Sequence, residues 1–87
     1  MTTEVFCVFA FDSSHQAIAA ETAVTGLEGA RLIPLPPEIS QGCGLALRVN
    51  YDDHAAAASL IAEKGCGYQG AYTLTVQGAE RTVTPCV

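Results

Sequence analysis

From Val5 to Phe11 every position is apolar, the pattern of a strand in the middle of a sheet, buried on both faces. Polarity then switches at Asp12-Ser13-Ser14-His15-Gln16, where Ser13 and Gln16 have the capping-box spacing that opens a helix. Ala17, Ala20, Val24 and Leu27 follow as one helical stripe, and Gly26 and Gly29 stand ready to stop it. Residues 30–35 read as a short second strand, held to an edge because Pro34 cannot donate to a ladder. The next segment, Pro36 to Gly42, has stiff residues first and permissive ones last, which suits a loop. A third strand begins at Cys43-Gly44, with Leu45, Leu47 and Val49 alternating against Ala46, Arg48 and Asn50. Asp52 or Asp53 caps a second helix that runs to about Lys64, with Ala57, Leu60 and Ile61 inward and Gly65 at its stop. Tyr68 to Val76 makes the fourth strand, and residues 77–80 a turn. Arg81 to Thr84 then either pairs back as a short fifth strand or trails as a tail.

Strand, helix, strand, strand, helix, strand is the split βαβ order of ferredoxin-like folds. The predicted fold is therefore an α+β two-layer sandwich: an antiparallel sheet in the order 4-1-3-2 with both helices on one face. Residues 1–77 form the domain and residues 78–87 a C-terminal extension. With the first strand central, the helix-free face shows either Phe6 and Val8 or Phe9 and Phe11 to solvent. Such a patch marks an association surface, and a homodimer is its simplest use.

Composition narrows the function. Eighty-seven residues allow one domain, and 49% hydrophobic against 15% charged residues supply a core. A net charge of −5 repels phosphate backbones and anionic lipids, so neither nucleic acid nor a membrane surface is an expected partner. The N-terminal apolar run is short and preceded by Glu4 rather than by a basic segment. No stretch approaches the roughly 20 apolar residues of a membrane span. A cytoplasmic location follows as the expectation, and there the four cysteines are thiols by default. Cys7, Cys43, Cys66 and Cys86 form no C-x-x-C pair.

The predicted topology gathers candidate chemistry at one edge. Asp12 to Gln16, Ser40 to Gly44 and Gly65 to Tyr68 meet there, so Cys43 and Cys66 share an edge with His15, and a returning fifth strand carries Cys86 toward it. Cys43 lies between Gly42 and Gly44, which leave its sulfur unshielded and let backbone N–H groups approach. Near the positive end of the first helix a thiolate is favoured and its pKa falls below the free value of about 8.5. His15 adds a proton or a charge. Tight turns with Cys43 as a small buried hydrophobe are the plainer reading. Cys7, in a central strand, reads as a buried, inert thiol. Cys66 and Cys86 are candidate resolving thiols; Tyr51, Tyr68 and Tyr72 read as the rim of the core.

Phe11-x-Ser13-x-His15-x-Ala17-Ile18-x-Ala20-Glu21, then Ile33-Pro34-x-Pro36, then Ile39-Ser40-x-x-Cys43-Gly44-Leu45-Ala46-Leu47-Arg48 together resemble the selenium/sulfur carrier-like family, formerly a domain of unknown function. The resemblance covers about residues 4–74, and its most specific part is the Pro-x-Pro…Ile-Ser-x-x-Cys-Gly-Leu-Ala block. It implies one essential thiol, Cys43, that holds sulfur or selenium as a persulfide or selenopersulfide. Ser13, His15, Pro36, Ser40, Gly42 and Gly44 would support it. The position after the second proline, basic in the family pattern, is Pro37 here, which removes one stabiliser of a thiolate or bound anion.

Three functions compete. The favoured one is a carrier rather than a turnover enzyme, with donor and acceptor proteins as partners and no cofactor beyond the sulfur or selenium held on Cys43. A metal-binding module would use Cys43, Cys66 and His15, with or without Cys86, as soft ligands for zinc or copper(I). A regulatory or interaction domain would use the same fold without chemistry.

Overall fold

In the computed structural model, which describes residues 3–11, 13–35, 44–65, 68 and 70–85, the all-apolar run becomes β1 (Thr3–Phe11). It is followed by α1 (Ser14–Ala23), β2 (Arg31–Pro34), β3 (Leu45–Asn50), a single 3-10 turn at Tyr51–Asp53, α2 (His54–Glu63), β4 (Gly70–Gln77) and β5 (Glu80–Pro85). The sheet is antiparallel throughout, in the order β2-β3-β1-β4-β5. This is the expected 4-1-3-2 arrangement read from its other side, with the C-terminal strand added beside β4.

The two-residue period of β1 sorts its side chains. Cys7, Phe9 and Phe11 face the helices and meet Ala17, Ala20 and Val24 of the first helical stripe, Ala57 and Ile61 of α2, and Leu47 and Val49 of β3. Val8 faces the other way, onto Ala46 and Leu74. This second face departs from the expected solvent-exposed patch. Val8 is fully buried and Phe6 half-buried, because Ile33, Leu35, Val76 and Val83 close around them and the Arg48 guanidinium lies 4.3 Å from the Phe6 ring centroid. The run is not buried over its whole length either: Val5 is 39% exposed. β3 ends at Asn50 opposite Phe6, so Val5 has a sheet neighbour only on the β4 side.

Both helices start where the capping signals place them, but without the side-chain bonds of a cap. Ser13 has the extended backbone of an N-cap and its carbonyl accepts the Ala17 N–H at 3.1 Å, but its side chain makes no cap bond. Asp53, at the head of α2, makes none either. The first helix also ends earlier than its stripe suggests. Thr22 Oγ1 donates to the Ile18 carbonyl at 3.1 Å and Thr25 Oγ1 to that of Thr22 at 2.7 Å, and such back-bonding by β-branched residues competes with helix continuation. Val24 and Leu27 still pack on the core from the turns that follow. Gly65, at φ +72°, ends α2 as its position predicts.

The C-terminal strand depends on a two-residue hairpin loop, Gly78-Ala79, between the paired Gln77 and Glu80. Gly78 has φ +61° and no non-glycine residue among those described has a positive φ, the sign pattern of a type II′ turn. Valine at Gly78 is therefore expected to destabilise the hairpin by about 1–2 kcal/mol. Faster amide exchange in β5 than in β1 would register the loss; unchanged exchange would contradict the turn assignment.

Candidate functional site

Register places the flanks of every candidate segment toward one end of the sheet. Phe11 pairs with Leu45, Ala10 with Gly70, and Tyr72 with Pro85. The end of β1, the start of α1, the start of β3, the start of β4 and the end of β5 therefore lie on the same side. Cys43, Cys66 and Cys86, with Pro36, Ser40 and Gly42, lie outside the described residues. What the structure describes is a frame formed by the segments that flank them in the chain.

The base of that frame is a hydrogen bond. The Leu35 N–H donates to the Gly44 carbonyl at 3.2 Å, continuing the β2–β3 ladder by one step and holding together the two ends from which residues 36–43 depart. A Cβ at Gly44 would come within 3.3 Å of the Phe11 carbonyl oxygen and 3.5 Å of Leu35 Cδ2. The backbone of Gly44, the residue after Cys43 in the chain, therefore runs close against the end of β1. Alanine at Gly44 must push on a backbone carbonyl rather than on a flexible side chain, so a loss of about 1–2 kcal/mol is expected in urea unfolding. Wild-type stability in that variant would show that the approach is not tight.

Ser13 is half-buried at the head of α1, and His15 is exposed in its first turn, with no acidic residue in that turn. The Ser13 side chain does not cap the helix, so it offers no acceptor to the first-turn N–H groups. This end of the helix carries the partial positive charge of the backbone dipoles, beside the strand end where Gly44 packs. Among the described residues no three His, Cys, Asp or Glu side chains come together to hold a metal ion, and no helix is long and apolar enough to cross a membrane.

Cys7 stands apart from this frame. It is 1% exposed within the helix-side core, as a central-strand position demands. It lies at the floor of an open cleft of about 470 Å³, with Tyr51, His54 and Tyr68 at the walls. Tyr68 meets the Phe9 ring edge-on at 4.9 Å between centroids. His54 Nδ1 lies 2.7 Å from the Tyr51 carbonyl oxygen, and the two rings are 4.9 Å apart. Tyr51 and Tyr68 are 41% and 39% exposed and Tyr72 half-buried, a rim as read from the sequence. The cleft itself was not legible there, since its walls come from three separate segments and share no motif.

The sequence matches, over residues 6–73, the family model described as "Putative Se/S carrier protein-like". The chain belongs to this Se/S carrier-like family. The matched span runs from β1 into β4 and includes both Gly44 and the preceding Cys43, whereas β5 lies beyond it. In this Se/S carrier-like chain the fifth strand is thus an addition to the part that defines the family match. No curated protein and no solved structure matches the chain.

Proposed function

We propose that this protein carries sulfur or selenium on Cys43. The observation that carries the reading is the family match over residues 6–73, within which Cys43 stands between two glycines. The frame supports it: Gly44 is tied to Leu35 and packed against the end of β1, at the end of the sheet where α1 begins.

The chemistry is thiol exchange at a persulfide. The Cys43 thiolate attacks the terminal sulfur of a donor's persulfide, an S–S bond forms on Cys43, the donor's S–S bond breaks, and the donor leaves as a thiolate. No net oxidation occurs. Delivery repeats the step in the other direction, with an acceptor nucleophile attacking the terminal atom and Cys43 leaving as thiolate. A donor selenopersulfide exchanges in the same way and loads selenium. Cys66 or Cys86 would act as a resolving thiol by attacking the inner sulfur of the loaded Cys43, forming a disulfide and expelling sulfide or selenide. That bond requires a Cα separation within about 7 Å.

Reversibility tests the reading. Protein loaded from a persulfide donor and then treated with excess dithiothreitol is expected to return to its unmodified mass, as the reductant forms its cyclic disulfide and sulfide is released. An adduct that survives the reductant would be an over-oxidised thiol such as a sulfinate, and would contradict a carrier.

A further inference from the structure

The sheet face without helices has a charge pattern that the rest of the chain lacks. Arg31 and Arg48 are direct cross-strand partners on β2 and β3, and Arg81 on β5 pairs with Val76. Strand alternation puts all three arginines on the face of Val8 and Leu74. Glu4, paired with Val76, is the one acid among the strand residues on that face. Three of the chain's four Lys and Arg residues thus share a face, in a protein with nine Asp and Glu.

That arrangement costs the fold something. Like charges directly opposite on adjacent strands destabilise a sheet, and Arg31 faces Arg48. The Arg48 side chain lies over Phe6, with its Nε buried and without a hydrogen-bond partner, a state that buried donors rarely occupy. Beside it, Ile33, Leu35, Leu74 and Val76 join Arg48 and Arg81 around an open cleft of about 340 Å³. Cationic groups around an apolar floor are what an interface needs for both steering and burial.

We propose that this face docks a partner protein that presents carboxylates around an apolar centre. A second copy of the chain placed face to face would set arginines against arginines, so charge complementarity selects a partner of opposite sign over self-association. A carboxylate from the partner offsets the Arg31–Arg48 repulsion, and an Arg48 side chain turned outward onto it gains the acceptor that its Nε lacks. The inference does not depend on sulfur chemistry at Cys43.

Two synthetic peptides serve as probes in a titration of the isotope-labelled full chain followed by NMR, one rich in leucine and glutamate and the other in leucine and lysine. The glutamate peptide is expected to shift amide signals of β2, β3 and β5, with affinity falling about tenfold as salt rises from low to high ionic strength. Arg31 and Arg81 are exposed, so the double variant Arg31→Glu/Arg81→Glu is expected to stay folded and to exchange its preference for the lysine peptide. Equal responses to both peptides, shifts confined to α1 and α2, or no shift in either protein would overturn the proposal. So would concentration-dependent broadening of these strand signals without peptide, which would assign the face to a second copy.

Discussion

Exchanging Cys43 for serine is expected to take sulfur loading from one atom per chain to none, with the far-ultraviolet circular dichroism and the thermal midpoint unchanged. The expectation rests on the nucleophile. A thiolate forms at accessible pH and attacks sulfur readily, whereas a serine hydroxyl stays protonated and makes no stable bond to a transferred sulfur. Cys7 supplies the internal control. At 1% exposure in the core, it is out of reach of a donor protein, so Cys7→Ser should leave loading intact. That variant should instead lose stability, by about 1–3 kcal/mol, because it places a more polar group in an apolar site. The two substitutions therefore separate function from fold in opposite directions. Loading that persists in Cys43→Ser, or that disappears in a folded Cys7→Ser protein, would remove Cys43 from the role.

The largest expected effect on stability belongs to Phe9. Its ring is 2% exposed, sits in the layer between sheet and helices, and takes the edge of Tyr68 at 4.9 Å. Phe9→Ala removes the ring and leaves a cavity that the surrounding β1, α1 and α2 side chains fill only in part, at a cost of about 3–5 kcal/mol. Small domains hold total stabilities of about 5–15 kcal/mol, so the loss is a substantial part of the margin. At roughly 4–8 °C per kcal/mol for a chain of this size, its melting temperature should fall by more than 10 °C. Replacing Ile18, 53% exposed on α1, by serine should change the unfolding free energy by no more than about 0.5 kcal/mol. Urea unfolding of both variants checks the contrast, and comparable losses would mean that Phe9 is not central to the packing.

The fold was legible wherever burial alone decides structure. The unbroken apolar run to Phe11 read as a central strand, in agreement with the sheet order that the split βαβ succession of elements implies. What remained open was decided by pairing between distant residues. Glu80 to Pro85 offers a single large apolar side chain, Val83, and becomes a strand because it pairs with β4 and sets Val83 against Leu74. The same strand helps cover Phe6 and Val8, which the sequence pattern leaves at the surface. Capping signals placed both helix starts, at Ser13 and Asp53, but neither side chain makes the cap bond, a matter of rotamer that spacing does not encode. For the site, the Pro-x-Pro and Cys-Gly-Leu-Ala block pointed to the family, while Cys43, the thiol that the resemblance implies, lies outside the described residues. The reason for glycine at position 44 appears only when Phe11 and Leu35 are beside it. The alignment of Arg31, Arg48 and Arg81 on one face appears only once the strand register is fixed.

The most direct test of the carrier assignment is an intact-mass spectrum of the reduced protein after incubation with a persulfide-generating system, followed by peptide mapping of any added atom. One added sulfur on the peptide containing Cys43, and none on that containing Cys7, is the predicted result. No addition at any cysteine, or addition only at a cysteine other than Cys43, would contradict it.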